Sequence, residues 1–299
     1  MTPISTVAAM QAEADAARAA GRRLALVPTM GALHAGHLAL VQDARRRVGP
    51  AGHVTVSVFV NPTQFAPGED FEAYPRTLAA DRAALDGLGE GAVDAVFAPL
   101  APEMYPFGLP PFTTVAVRDL DGYLCGAARP GHFEGVTTVV AKLFLACRPH
   151  VAVFGEKDAQ QLAILRRMAD EMGFGVEVAG HAIVREADGL ALSSRNRYLS
   201  DLERGEALVL SRAVFAARDA VAAGETSVAR IEAAMQAEIA QAPGVRVQYA
   251  QVVDALGLQP VETLSKGGPS AGRYLAAVAA FVGTTRLIDN ATLAIGDPS

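Results

Sequence analysis

The stretch Pro28-Thr29-Met30-Gly31-Ala32-Leu33-His34-Ala35-Gly36-His37 sets two imidazoles three positions apart, with two glycines beside them. In a helical turn that spacing points both rings to one side. An imidazole N–H can meet a phosphoryl oxygen as charge gathers on it, and glycine lets a ligand come close to the main chain. Phosphate binding is therefore one reading. A second is a pair of histidines that cap or pack the turn. A third is a metal pair, although a helical metal site ordinarily brings an acidic neighbour, as in His-Glu-x-x-His, and this turn has none.

Four other segments carry candidate chemistry. Val60-Asn61-Pro62-Thr63-Gln64-Phe65 offers uncharged amides, and Gln64 suits a hydroxyl or carboxylate; an ordinary Asn-Pro turn reads the same way. Phe154-Gly155-Glu156-Lys157-Asp158-Ala159-Gln160-Gln161 puts the compact cation of Lys157 at a helix start, where phosphate oxygens bind. There Asp158 is a cap or a water-mediated neighbour of Mg²⁺, and Gln161 lies near the same face; the plain alternative is a charged helix start. Leu192-Ser193-Ser194-Arg195-Asn196 combines hydroxyls with a guanidinium that can grip two phosphate oxygens, or is a polar linker. Arg129-Pro130-Gly131-His132-Phe133-Glu134-Gly135-Val136 opens a further helix, with Arg129 and His132 at hand and no assigned role. Downstream of Gln64, Asp70, Glu72 and Asp81 are either neighbours of Mg²⁺ or solvated surface.

The elements that must position these groups follow from hydrophobic spacing. Residues 23–28 read as a buried strand, 36–48 as a helix and 53–60 as a β-branched strand, which makes a βαβ unit with parallel neighbouring strands. A short strand near 93–98, a helix over 133–147, a strand at 151–154, a helix over 158–172 and strands near 176–184 continue the pattern. Three of the polar segments thus fall at the carboxyl ends of parallel strands, where open α/β sheets bind ligands. From about residue 185 the texture changes. Alanine-rich helices occupy 200–223 and 226–242, the first capped by Ser200 or Asp201. Strands at 245–254, 273–282 and 286–289 finish the chain, with a turn over 266–272. The expectation is a doubly wound α/β domain with a parallel sheet over residues 1–184 and a smaller α+β domain over residues 185–299.

The bulk composition narrows the class. A chain of 299 residues with 51% hydrophobic and 19% charged residues suits a compact enzyme of one or two domains. A net charge of −6, with no basic stripe, argues against nucleic acid. Cys125 and Cys147 read as free thiols of a reducing cytosol. The first 23 residues read as an amphipathic helix rather than a signal peptide, and no apolar run approaches the ~20 residues that span a bilayer. The expected location is therefore cytoplasmic, without a membrane partner.

In their order along the chain, PTMGALHAGH, VFVNPTQF, YPRT, RPGHFEGV, FGEKDAQQ, LSSRNRYLS and GTTRLIDN resemble the pantothenate synthetase family over about residues 22 to 290. The His-x-Gly-His element alone would mark only the wider nucleotidylyltransferase and class I synthetase superfamily. The resemblance implies a Rossmann-like N-terminal domain over residues 1–184, a C-terminal lid domain over residues 185–299, a homodimer and a ligase reaction in two steps. ATP and pantoate give pantoyl-adenylate and pyrophosphate; the amine of β-alanine then gives pantothenate and AMP. It also implies site residues. Met30, Gly31, Ala32, Leu33, His34, Ala35, Gly36 and His37 would line ATP, with His37 as proton donor and His34 beside it. Gly155, Glu156, Lys157 and Asp158 would contact the nucleotide, with Lys157 on the phosphates. Val184, Leu192, Ser193, Ser194 and Arg195 would complete the ATP site. Gln64 and Gln161 would hold pantoate, Gln64 also meeting β-alanine, and Mg²⁺ would accompany the triphosphate near Asp81 or Asp158. Cys125 stands where some relatives carry an acid.

Two rival functions are weighed against this. A nucleotidylyltransferase with a phosphate acceptor would want cations where this chain has Gln64 and Gln161. A silent nucleotide-binding module would not need the whole set of His, Lys, Ser-Ser-Arg and Gln. No Ser–His–Asp set is offered, so the parts favour positioning and electrostatic stabilisation over a protein nucleophile.

Overall fold

The computed structural model describes residues 2–66, 68–267 and 270–295. In chain order the elements are α1 (Val7–Ala19), β1 (Leu24–Thr29), α2 (Ala35–Val48), β2 (His53–Val58), α3 (Leu78–Asp86), β3 (Ala95–Phe97), α4 (Ala101–Met104), α5 (Leu124–Ala128), α6 (His132–Cys147), β4 (Val151–Gly155), α7 (Ala159–Glu171), β5 (Glu177–His181), α8 (Asp201–Ala222), α9 (Val228–Ile239), β6 (Val245–Asp254), β7 (Arg273–Val282) and β8 (Thr285–Ala294). Gly268 and Pro269, inside the turn expected over 266–272, lie outside the described residues. Among the described residues no helix is long and apolar enough to cross a membrane.

The chain divides into two compact units. The first comprises Met1–Asp121, Arg129–Glu156 and Ile164–Ala182; the second comprises Gly122–Ala128, Lys157–Ala163 and Ile183–Ser299. The first unit holds a five-stranded sheet in the order β3-β2-β1-β4-β5, every pairing parallel. Strands β1 and β4 are rich in Val, Ala and Leu, and β2 alternates Val with buried His53, Thr55 and Ser57; all three are buried on both faces, as a sheet covered by helices on each side requires. Leu40, Val41 and Ala44 of α2 pack on Ala25, Val27, Val54, Val56 and Val153. Strand order reverses at β1, which has β2 on one side and β4 on the other. Chain ends that leave β1 at Thr29 and β4 at Gly155 therefore open side by side, at the point where such sheets bind ligands.

The second unit carries the antiparallel sheet β6-β7-β8. Leu210 and Val214 of α8 and Ile231 and Met235 of α9 share a core with Ala276, Val278 and Ala280 of β7. Of the two candidate caps of α8, Ser200 serves. Its hydroxyl accepts from the Glu203 N–H at 3.3 Å, and the Glu203 carboxylate accepts from the Ser200 N–H at 2.8 Å, a reciprocal box. Strand β8 runs well past the expected 286–289. Its polar middle, Asp289 and Asn290, breaks the apolar pattern but is buried. It stays paired with β7 through Val278 and Ala277.

Candidate functional site

The first motif is a turn with two left-handed residues. Gly31 has φ +81° and Ala32 φ +51°. A Cβ on Gly31 would stand 2.9 Å from Asp81 Oδ2 and 3.1 Å from Val58 Cγ1, so only glycine fits. For Ala32 the left-handed conformation costs roughly 1–2 kcal/mol. Asp81, 2% exposed, offsets that cost. Its carboxylate accepts from the N–H groups of Ala32 (3.2 Å) and Leu33 (2.8 Å) and from the Thr77 hydroxyl (3.3 Å). Both Asp81 oxygens are engaged in folding the turn, which favours a bracing role over the expected place beside Mg²⁺. Among the described residues no group of three or more His, Cys, Asp or Glu is arranged to hold a metal ion.

Asp81→Ala leaves two buried N–H groups without an acceptor, at about 1–3 kcal/mol each. The variant should therefore unfold at lower denaturant, by roughly 2–6 kcal/mol, with an unchanged slope. Its remaining activity should show the wild-type dependence on Mg²⁺ concentration. Unaltered stability with a raised Mg²⁺ requirement would instead make Asp81 a metal ligand.

Beyond the turn, His34 is the N-cap of α2 and His37 its third helical residue. They form a reciprocal capping box in imidazoles: His34 Nδ1 accepts from the Gly36 N–H at 3.2 Å, and His37 Nδ1 accepts from the His34 N–H at 3.4 Å. The ring centroids lie 4.1 Å apart. A neutral imidazole whose Nδ1 accepts carries its hydrogen on Nε2. Capping therefore fixes the tautomer of both rings and makes each Nε2–H a donor. The turn joins these donors to the positive end of the α2 dipole, which suits an anion. The capping reading and the phosphate reading of the two histidines are compatible.

Gln64 ends a one-turn 3-10 helix, Pro62–Gln64, directly after β2. Its Nε2 lies 3.0 Å from Met30 Sδ, so the first two motifs meet. Asn61 organises the turn. It is 1% exposed, its Oδ1 accepts from the hydroxyls of Tyr105 (2.7 Å) and Thr63 (3.0 Å), and its Nδ2 donates to Gly135 O (3.1 Å) and Gln64 Oε1 (3.2 Å). Gly135 is required there, since a Cβ would lie 2.3 Å from Thr63 O.

The loop before α6, left without a role by sequence reasoning, braces Gln64. His132 Nδ1–H donates to the Gln64 carbonyl at 2.8 Å, and its Nε2 accepts from Arg129 Nη1 at 2.9 Å. Arg129 also grips both Glu69 oxygens, at 2.7 and 2.6 Å. Burial pushes the Glu69 carboxyl up, but the Arg129 hydrogen bonds and charge, the Ala66 N–H and His132 outweigh it and hold the group below the usual carboxylate range.

The remaining candidates belong to the second unit, except Gly155, which closes β4, and Glu156, which opens the next turn, both in the first. Lys157 and Asp158 sit in the one-turn 3-10 helix Glu156–Asp158, where Lys157 is half-buried and Asp158 exposed. Gln161 is half-buried in α7; its neighbour Gln160 is buried and holds the α5 segment, accepting from the Cys125 N–H at 2.9 Å and donating to Tyr123 O at 2.8 Å. The two cysteines are free and buried. Cys125 Sγ lies 3.0 Å from the Tyr249 hydroxyl and accepts from Arg286 Nη2 at 3.3 Å, partners the sequence did not disclose.

The segment from Val184 to Arg195 closes on itself. Leu192 N–H donates to Val184 O at 2.9 Å. Ser193 caps the short helix Ser194–Tyr198 by accepting from the Arg195 N–H at 3.2 Å, and Asn196 Nδ2 donates to Glu186 Oε1 at 2.8 Å. The first unit thus gathers Met30 to His37 with Gln64 beside the Gly155 strand end. The second holds Lys157, Asp158, Gln161, Val184 and Leu192 to Arg195.

Comparison with known proteins adds a family. Residues 2–292 match the one described as Pantoate-beta-alanine ligase. A protein of Salinibacter ruber named pantothenate synthetase is 57% identical over 295 residues, covering 97% of each chain. Among solved structures, pantothenate synthetase from Thermus thermophilus is similar with a TM-score of 0.86 at 46% identity, covering 97% of this chain and 99% of that one. A Francisella tularensis pantoate-beta-alanine ligase, solved with beta-gamma ATP and beta-alanine, has a TM-score of 0.75 at 27% identity, covering 100% of both chains.

Proposed function

From the premise that the chain belongs to the pantoate–β-alanine ligase family and is an ATP-dependent, pantothenate-forming enzyme, we propose the course of its reaction and the residues that carry it. A carboxylate acylates poorly because its oxygen leaves poorly. The pantoate carboxylate therefore attacks the α-phosphorus of ATP, the bond to the β-phosphate breaks, and pyrophosphate departs. The amine of β-alanine then attacks the acyl carbon of pantoyl-adenylate, loses a proton and displaces AMP. No residue forms a covalent bond to substrate.

The protein's part is to position groups and to meet charge. The Nε2–H groups of His34 and His37, at the start of α2, donate to phosphate oxygens as charge builds. Lys157 meets the departing pyrophosphate, and Arg195 with Ser193 and Ser194 grips the phosphates. Main-chain groups from Met30 to Gly36 and from Gly155 to Asp158, with Val184 and Leu192, complete the nucleotide contacts. Gln64 and Gln161 hold pantoate by uncharged hydrogen bonds. Mg²⁺ would travel on the triphosphate and neutralise part of its charge, with Asp158 facing it through water. A homodimer and a cytoplasmic location belong to the same reading.

The observation that supports this reading best is the reciprocal His34–His37 box, which fixes both donor tautomers at the strand-order reversal, with the Gln64 amide against Met30. Exchange of labelled pyrophosphate into ATP, run with pantoate and without β-alanine, tests it. Label should enter ATP only when pantoate is present. A dinucleotide-type product with a phosphorylated acceptor, or ATP binding with no pyrophosphate release, would discard the reading.

A further inference from the structure

The ending GTTRLIDN takes no part in the chemistry above, yet its last two residues are buried polar groups in a strand, Asp289 at 3% and Asn290 at 7% exposure. Asparagine is a poor strand former, and a polar side chain loses hydration on burial unless a partner replaces the water. The partner here is specific. Asn290 Nδ2 donates to the main-chain carbonyl of Lys157 at 2.8 Å. Asn290 is itself fixed on two sides. It pairs with Ala277 of β7, and its N–H donates to Asp289 Oδ1 at 2.7 Å. Asp289 in turn receives both arms of the Arg185 guanidinium, at 2.6 and 2.9 Å. Arg185 also donates to Gly189 O at 3.0 Å and lies over the Phe215 ring at 4.7 Å. Arg185 follows Val184, whose carbonyl closes the loop leading to Arg195.

We propose that Asn290 is a positioning residue for adenylate formation: its amide holds the Lys157 carbonyl, and so sets where the Lys157 ammonium stands. The inference rests on the assignment of Lys157 to the phosphates. Lys157 lies in a single 3-10 turn, and so short a turn has few main-chain bonds of its own to fix it. The Asn290 bond supplies one from a sheet with antiparallel pairing along its whole length. A cation displaced by a fraction of an ångström loses much of its preference for the transition state, and misplacement of ~1 Å can cost about 10²-fold.

The test is a double-variant cycle on the full-length protein, with the two half-reactions timed separately. Asn290→Ala should slow single-turnover formation of pantoyl-adenylate by about 10- to 100-fold and leave aminolysis of preformed adenylate by β-alanine at the wild-type rate. In a Lys157→Ala background the same change should cost nothing more, because the group it positions is gone. Asn290→Asp keeps the size, lacks the N–H donor, and should match Asn290→Ala; it serves if the alanine variant does not fold. Equal slowing of both half-reactions, or full additivity with Lys157→Ala, overturns the inference and leaves the role of Lys157 standing. If Lys157→Ala alone adenylates at the wild-type rate, the assignment of Lys157 fails and this inference fails with it.

Discussion

Lys157→Ala should lower pantoate-dependent exchange of pyrophosphate into ATP by about 10²–10³-fold, ~3–4 kcal/mol of transition-state stabilisation. When the α–β bond of ATP breaks, negative charge collects on the departing pyrophosphate. A half-buried ammonium at the start of α7 is placed to meet such charge, in a less watery setting where it counts for more. The fold does not depend on that side chain. The main-chain carbonyl bonded by Asn290 persists in the alanine variant, so the unfolding midpoint should stay within the range of ordinary surface changes, ~0.5 kcal/mol. The loss should appear in the adenylation half-reaction, with aminolysis of preformed adenylate by β-alanine unchanged, because the amine reacts after pyrophosphate has left. Lys157→Arg should recover only part of the rate, since a planar fork on a longer stem does not occupy the position of a compact ammonium. Exchange within a few-fold of wild type in Lys157→Ala would remove this residue from the mechanism.

What the sequence disclosed and what it hid divide along a physical line. Strand β1, helix α2 and strand β2 were legible because burial imposes a period, and Val, Ala and Leu recur with that period. The placement of motifs at strand ends followed, since a βαβ unit has one handedness and ligands gather at carboxyl ends. Side-chain to main-chain bonds over long separations were not legible. Asp81 read as solvated surface or a cation's neighbour because its partners, the N–H groups of Ala32 and Leu33, lie far away in sequence and carry no residue signature. Arg129 and His132 had no assigned role for the same reason: their shared partner is the carbonyl of Gln64. Gly135 did leave a trace. A glycine inside a helix is destabilising by roughly 0.5–1 kcal/mol relative to alanine, so its presence asks for a close contact, which the Thr63 carbonyl supplies. The helix α3 is not among the expected elements: Asp81 is weighed there only as a metal neighbour or solvated surface, not as the inward face of a helix. Strand β8 was cut short because Asp289 and Asn290 broke the apolar run, and those two residues hold Arg185 and Lys157.

His37→Ala should be the other severe variant, with a loss of about 10²–10³-fold in adenylate formation, and its interpretation needs a control. The same ring that would donate from Nε2 also caps the helix by accepting the His34 N–H at Nδ1. Removing it therefore removes a cap, worth ~1 kcal/mol, as well as a donor. His37→Gln separates the two. Glutamine is a natural third residue of a capping box, because its side-chain oxygen reaches back to the N-cap N–H. Its amide cannot at the same time reproduce an imidazole Nε2–H held in place by that cap. The glutamine variant should therefore recover the unfolding midpoint lost in His37→Ala while its adenylation rate stays low. His34→Asn offers the matching control at the other ring, since asparagine is among the best N-caps; it should keep α2 intact and still lose rate. If instead the rates of His37→Gln and His34→Asn return to wild type together with stability, the two histidines serve the helix alone, and the donors that stabilise the adenylation step must be sought elsewhere. The asymmetry in the structure argues for loss of rate. A cap could be made by serine, threonine, asparagine or aspartate at less side-chain bulk, whereas a neutral imidazole that accepts from the main chain at Nδ1 presents an N–H from the far side of a rigid ring.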